Sequence, residues 1–212
     1  MLNIVYHILE LSCIFVAKTL IMKGFNSYLN DWNYSNIKKL IQEKGECQVY
    51  QKKDFFIRQN EISYFIGWVE SGVFQYTYID EEGTEHIVGY AFQDEFVCDY
   101  SSLMRGTLSL VNIQAITDCT VYVVSRHDII NYWEINYDTQ HYGRLAAESL
   151  FETIYKQLLE SYCTPTMRYL KLMKRCPDLK EVIPLKSIAS YLGVTPETVS
   201  HIRKKILLNQ KS

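Results

Sequence analysis

The stretch LKSIASYLGVTPETVSHIRKKI, Leu185 to Ile206, constrains the fold of this chain more than any other. Leu185, Ile188, Ala189 and Leu192 recur at spacings of three and four, which gives a short helix one apolar face. Gly193 then stands where a tight turn requires a positive φ, a conformation that costs glycine nothing. Val194 is placed to plug the angle between this helix and the next. Thr195-Pro196-Glu197 opens the second helix: threonine as N-cap, proline at the first helical position, and glutamate against the positive end of the dipole. Val199, Ile202 and Ile206 point inward, so Glu197, His201 and Lys204 fall on the opposite face with Ser200 beside them. Arg203 and Lys205 flank the two sides. Hydrogen-bonding groups on the outer face and cations at its edges are what base reading and phosphate contact require of a helix-turn-helix on duplex DNA.

Charge supports this. The whole chain has a net charge of -2, but residues 1–164 hold 12 Lys+Arg against 21 Asp+Glu, whereas residues 165–212 hold 10 against 3. A segment of +7 on a body of -9 points to a polyanionic partner. With 48% hydrophobic and 22% charged residues, the chain can bury a core.

Upstream, the character is strand-like. CQVYQK, DFFIRQ, SYFIGWVESGVFQYTYID, EHIVGYAF and LVNIQAITDCTVYVVS are rich in β-branched and aromatic residues and are separated by turn signals. DEEGTEH reads as a hairpin loop between Tyr76–Ile79 and Ile87–Tyr90. Short strands without helices between them predict an antiparallel sandwich or roll. A short amphipathic helix is expected from Asn33 to about Lys44, on Ile37, Leu40 and Ile41.

Around Arg126 the period switches. From Asn136 to Tyr162 no proline intervenes, and Ala147, Phe151, Ile154, Leu158 and Tyr162 recur at helical spacing. A helix of this length is longer than a small roll can cover, and the spare apolar seam predicts pairing with a second copy. Cys163-Thr164-Pro165 ends it. A basic amphipathic helix from Thr166 to Cys176 follows, and then the break at Pro177-Asp178.

The six cysteines, Cys13, Cys47, Cys98, Cys119, Cys163 and Cys176, contain no C-x-x-C pair and have no metal-site spacing, so they are expected to be small buried thiols. His86 reads as a surface strand residue rather than a haem ligand. No nucleophile-plus-base pairing is visible, and no enzymatic activity is expected. The N-terminal stretch, MLNIVYHILELSCIFVAKTLIMK, has an apolar run too short to span a bilayer and no basic n-region. It reads as a weak membrane anchor or as residues upstream of a true start at Met22. No membrane span is expected, and the location is expected to be cytoplasmic.

A β-roll, a long helix and a C-terminal helix-turn-helix in this order resemble the Crp/Fnr family of transcription regulators. The resemblance covers about residues 30 to 207; IASYLGVTPETVSHIRKK carries it most strongly, with QDEFVCDYSSL and the following strands resembling the cyclic-nucleotide cassette. It implies an α+β fold: an apolar extension at 1–28, a cyclic-nucleotide-binding-like roll at 29–135, a dimerisation helix at 136–164 and a DNA-binding domain at 165–212. It also implies a homodimer on a two-fold symmetric site in double-stranded DNA, with RNA polymerase as partner. The expected DNA-contacting residues are Lys186, Thr195, Pro196, Glu197, Ser200, His201, Arg203, Lys204 and Lys205.

The departures from the family are specific. Its cyclic-AMP binders have a Gly-Glu pair and a downstream Arg-Ser or Arg-Thr that holds the cyclic phosphate. Here Cys98-Asp99 and Ser109-Leu110 fall at those places. A buried phosphate lacking its arginine has no charge-assisted partner to offset desolvation. Cyclic AMP is therefore not expected, and Arg105 could substitute only if its loop folds back. A different small-molecule effector would meet Cys98, Asp99, Tyr100, Ser101, Ser102 and Ser109. The alternatives are a purely structural roll, or a variant cassette that still takes a cyclic nucleotide. No cofactor is assigned. In the second helix of the motif, His201 replaces the family's usual reading arginine, Pro196 stands where some members have another, and the wing that usually follows the motif is expected to be missing after Ile206.

Overall fold

The computed structural model describes residues 35–176 and 179–209. The N-terminal stretch, Cys13 and the Pro177-Asp178 break lie outside them. The elements in chain order begin with α1 (Ser35–Lys44), β1 (Glu46–Tyr50), β2 (Phe55–Ile57), β3 (Phe65–Ser71), β4 (Phe74–Ile79), β5 (Glu85–Ala91) and β6 (Phe96–Val97). They continue with α2 (Tyr100–Arg105), β7 (Asn112–Ala115), β8 (Cys119–Ser125), α3 (Arg126–Trp133) and α4 (Tyr137–Ser161). Last come α5 (Pro165–Arg175), α6 (Leu179–Val182), α7 (Leu185–Tyr191) and α8 (Pro196–Asn209).

The strands form two antiparallel four-stranded sheets, ordered β1-β8-β3-β6 and β2-β7-β4-β5. Alternation along β8 shows why they stack: Cys119, Val121 and Val123 are buried, while Thr120 and Tyr122 are less so. Between the sheets Val69, Phe74, Val97, Ile113 and Val121 are completely buried. Tyr50, Phe56 and Phe74 fill the rest of the space, with ring centroids 5.6–6.0 Å apart. The interior of the roll is packed with its own side chains. The β3–β4 turn needs Gly72 at φ +96°, where a Cβ would meet Cys119 Sγ at 2.5 Å.

A second core lies outside the first sheet. Ile37, Leu40 and Ile41 of α1 pack with Ile66, Trp68 and Val124 of the sheet, Leu103 of α2, and Ile129 and Trp133 of α3. The long helix ends before Pro165 as its sequence suggested, and both of its ends are closed. Asn136 and Thr139 form a reciprocal capping box, and Tyr162 is the C-cap. Gly143 lets α4 approach α3, since a Cβ there would lie 3.0 Å from the Trp133 ring.

The remaining core joins the roll to the C-terminal helices. Val73, Ile87, Tyr90 and Phe92 pack with Tyr169, Leu172, Leu179, Ile183, Ile188, Leu192, Val199 and Ile202 in one buried cluster. No described helix is long and apolar enough to cross a membrane. The cysteines differ from expectation: Cys119 and Cys176 are buried, Cys98 and Cys163 are half-buried, and Cys47, on the edge strand β1, is exposed.

Candidate functional site

The helix-turn-helix forms with the predicted geometry. Gly193 adopts φ +61° between α7 and α8. Thr195 Oγ1 accepts from Thr198 N at 3.3 Å, an N-cap, and Pro196 takes the first turn, where no amide proton is needed. Val199 and Ile202 are buried, and Ile206 and Val194 are packed against the same core. The opposite face of α8 is open: Glu197, Ser200, His201, Lys204 and Lys205 are all exposed, as are Lys186 on α7 and Thr195 at the cap, while Pro196 is half-buried. The carboxyl of Glu197 is held below its usual pKa by its own backbone N–H and by the Thr195 hydroxyl, so it stays a charged acceptor.

Arg203 is placed differently from the other cations. It is half-buried, its Nε donates to Tyr169 Oη at 2.9 Å, and its guanidinium lies 5.7 Å from that ring's centre. It ties α8 to α5, where sequence reasoning expected an edge cation. The partner, Tyr169, sits on a different helix, and no local spacing announces it.

The cassette residues come together around α2, and most of their polar atoms bond one another. Asp99 is the N-cap: Oδ1 accepts from Ser102 N at 3.1 Å, and Oδ2 accepts from Ser109 Oγ at 2.7 Å. Ser109, fully buried, also accepts from Val111 N. Ser102 Oγ accepts from Ser63 N and donates to Thr107 O at 2.6 Å. Cys98 N donates to Tyr76 Oη, and desolvation, aided by Asp99, pushes the Cys98 thiol up to about 12. The Tyr100 hydroxyl lies 3.5 Å from Gly143 O of α4, and its ring is 6.3 Å from that of Trp133. Ser101 alone of the set is exposed.

Arg105, the last residue of α2, is exposed, and Gly106 closes the helix behind it in the left-handed region. A cation that sequence reasoning overlooked serves this end of the helix. Arg126 donates from Nε to Leu103 O and from Nη2 to Met104 O, satisfying two terminal carbonyls. Two surface hollows are lined by residues 48–61 and 56–65, and none of the cassette residues borders either.

The exposed large apolar residues of α4 form a continuous strip. Phe151, Ile154, Tyr155, Leu158 and Leu159, with Tyr162 at the cap, are each more than half exposed. Phe151 and Tyr155 stack with centroids 6.1 Å apart.

Against known proteins, residues 47–136 match the cyclic nucleotide-binding domain family. No curated protein matches the sequence. Among solved structures, FixK2 from Bradyrhizobium japonicum is similar at 18% identity and TM-score 0.65, over 78% of this chain and 86% of that one. A protein described as a transcriptional regulator of the Crp/Fnr family, from Eubacterium rectale, is similar at 18% identity and TM-score 0.62, over 86% and 88%. A CooA mutant from Carboxydothermus hydrogenoformans follows at 19% identity and TM-score 0.59, over 86% and 83%. Packed antiparallel roll, long helix and helix-turn-helix occur here in the order shared with these structures: residues 47–136 match the cyclic nucleotide-binding domain, and the chain has the Crp/Fnr fold.

Proposed function

We propose that this chain is a homodimeric DNA-binding transcription regulator that reads a two-fold symmetric site with α8, its roll acting as a scaffold without a cyclic nucleotide. The observation that carries the reading is the two-sided character of α8. Val199 and Ile202 anchor one face in the core, while Glu197, Ser200, His201 and Lys204 stand exposed on the other. Glu197 can accept from a cytosine amino group, and His201 can donate to a guanine. Lys186 and Lys205 supply phosphate contacts, with Thr195 at the helix start. The functional division is a roll through residue 135, a pairing helix at 136–164 and a reading head from 165, working in the cytoplasm on RNA polymerase.

The scaffold reading rests on the cassette. Asp99 already occupies the amide end of α2 with its own carboxylate, and Ser109 is spent on Asp99 and Val111. An incoming phosphate would have to displace that carboxylate and would find no arginine in the pair's place.

His201→Ala should cost about 1–3 kcal/mol and relax preference at one base position. Lys205→Ala should weaken all sequences alike and lower the salt slope by about one. Affinity measured for a panel of single-base variants across a salt series tests both. Identical profiles for the two variants would contradict the assignment of α8 as the reading helix.

A further inference from the structure

β5 is the edge strand of its sheet, and an edge normally leaves backbone N–H groups open to any passing strand. Here α7, the first helix of the reading head, covers it. Ile87 N donates to Ser190 Oγ at 3.1 Å across the boundary between roll and head. The ring of Tyr90 lies 6.2 Å from that of Tyr191, and burial raises the pKa of its hydroxyl. Ile87 and Tyr90 belong to the same buried cluster as Ile188 and Ala189 of α7 and Val199 and Ile202 of α8. None of the α7 groups involved lies on the exposed face of α8.

We propose that the β4–β5 hairpin is an intramolecular dock that holds the reading head in a single orientation, with Ser190 as its positioning residue. The contact stands on the geometry alone; its consequence for DNA rests on the function proposed above. Only residues 162–164 separate α4 from α5, and so short a link sets the distance of the head from the dimer helix but leaves its rotation free. Docking on β5 removes that freedom. Two heads held this way match one separation of half-sites, about 34 Å for successive major grooves, and penalise any other.

Amide hydrogen exchange on the full-length protein tests the contact. Ile87 N–H should exchange slowly in the native chain, about three- to tenfold faster in Ser190→Ala, and again slowly in Ser190→Thr, which keeps the hydroxyl. Equal Ile87 exchange in native chain and Ser190→Ala, or an unprotected Ile87 in the native chain, would overturn the dock. The positioning role is read from the ratio of affinities for a palindromic site and for the same site with one base pair inserted between half-sites. The native dimer should discriminate strongly, and Ser190→Ala should narrow the ratio by a similar three- to tenfold. An unchanged ratio would overturn positioning. Absence of any sequence-specific binding by the native chain would instead overturn the regulator reading, and the exchange result would stand apart from it.

Discussion

Asp80 organises the tip of the β4–β5 hairpin by itself. Its Oδ1 accepts from Glu82 N and Thr84 N, and its Oδ2 lies 2.7 Å from His86 Nε2. Hydrogen bonds from His86, then from the Thr84 backbone, hold the carboxyl below its ordinary pKa. A carboxylate depressed in the folded state contributes stability that is present above its unfolded value and lost as pH falls through the folded one. Exchange protection of the Thr84 amide should therefore fall on acidification below about pH 4. Equal protection factors at about pH 3 and at neutrality would contradict this. The turn itself was legible in DEEGTEH, because aspartate and glycine carry hairpin geometry in their own chemistry. Arg203 is the opposite case. Its bond to Tyr169 joins residues far apart in sequence, so it read as a free edge cation. Arg203→Ala should lower the melting temperature by loosening α5 from α8, by an amount matching about 1–2 kcal/mol, one lost hydrogen bond plus packing. A melting temperature equal to that of the native chain would contradict a stabilising tie between α5 and α8.

Among elements, α4 bears most directly on assembly. Its N-terminal end is fastened to the roll through Trp133, Gly143 and Tyr100, while Phe151, Ile154, Leu158 and Tyr162 stand open to solvent in the single chain. Monomeric proteins rarely leave such a strip uncovered, and a twin helix would bury it. Ile154→Asp or Leu158→Asp should dissociate the proposed dimer, since an unpaired charge in a seam buried by pairing costs several kcal/mol. Sedimentation velocity checks it: an unchanged dimer would place the interface elsewhere, and a native monomer would remove the pairing role of α4. This helix was legible from Asn136 to Tyr162 because its helical period runs unbroken by proline until Pro165 stops it. The two-residue strand β6 and the short helices α2 and α6 were not. Phe96-Val97 pairs only because β3 lies beside it, through Gly67 and Trp68, and six residues of α2 depend on Asp99 and Arg126 closing their two ends. Long-range contacts make these elements, and local periodicity holds no trace of them.

At the scale of the molecule, the roll and the reading head share one core, running from Val73 and Phe92 to Val199 and Ile202. One buried cluster should unfold as one unit, so calorimetry should show a single transition containing both. The strand-rich middle and the helix-turn-helix were both foreseeable, each from its own pattern. Their junction was not, because Ile87 and Ser190 meet only in three dimensions. The Asp99–Ser109 bond supports the proposed scaffold role of the roll. Calorimetric titration of the full-length protein with cyclic AMP and cyclic GMP should give no saturable heat at micromolar concentration, and saturable binding abolished by Asp99→Ala would restore the cassette. The measurement closest to the central claim is selection of binding sites from a pool of random duplex DNA by the full-length protein, with no nucleotide added. An enriched palindrome is expected, with half-sites about 34 Å apart, its preference lost with His201→Ala at one base position in each half and its binding weakened by rising salt. A pool without any enriched symmetric sequence, or enrichment only once a cyclic nucleotide is supplied, would contradict it.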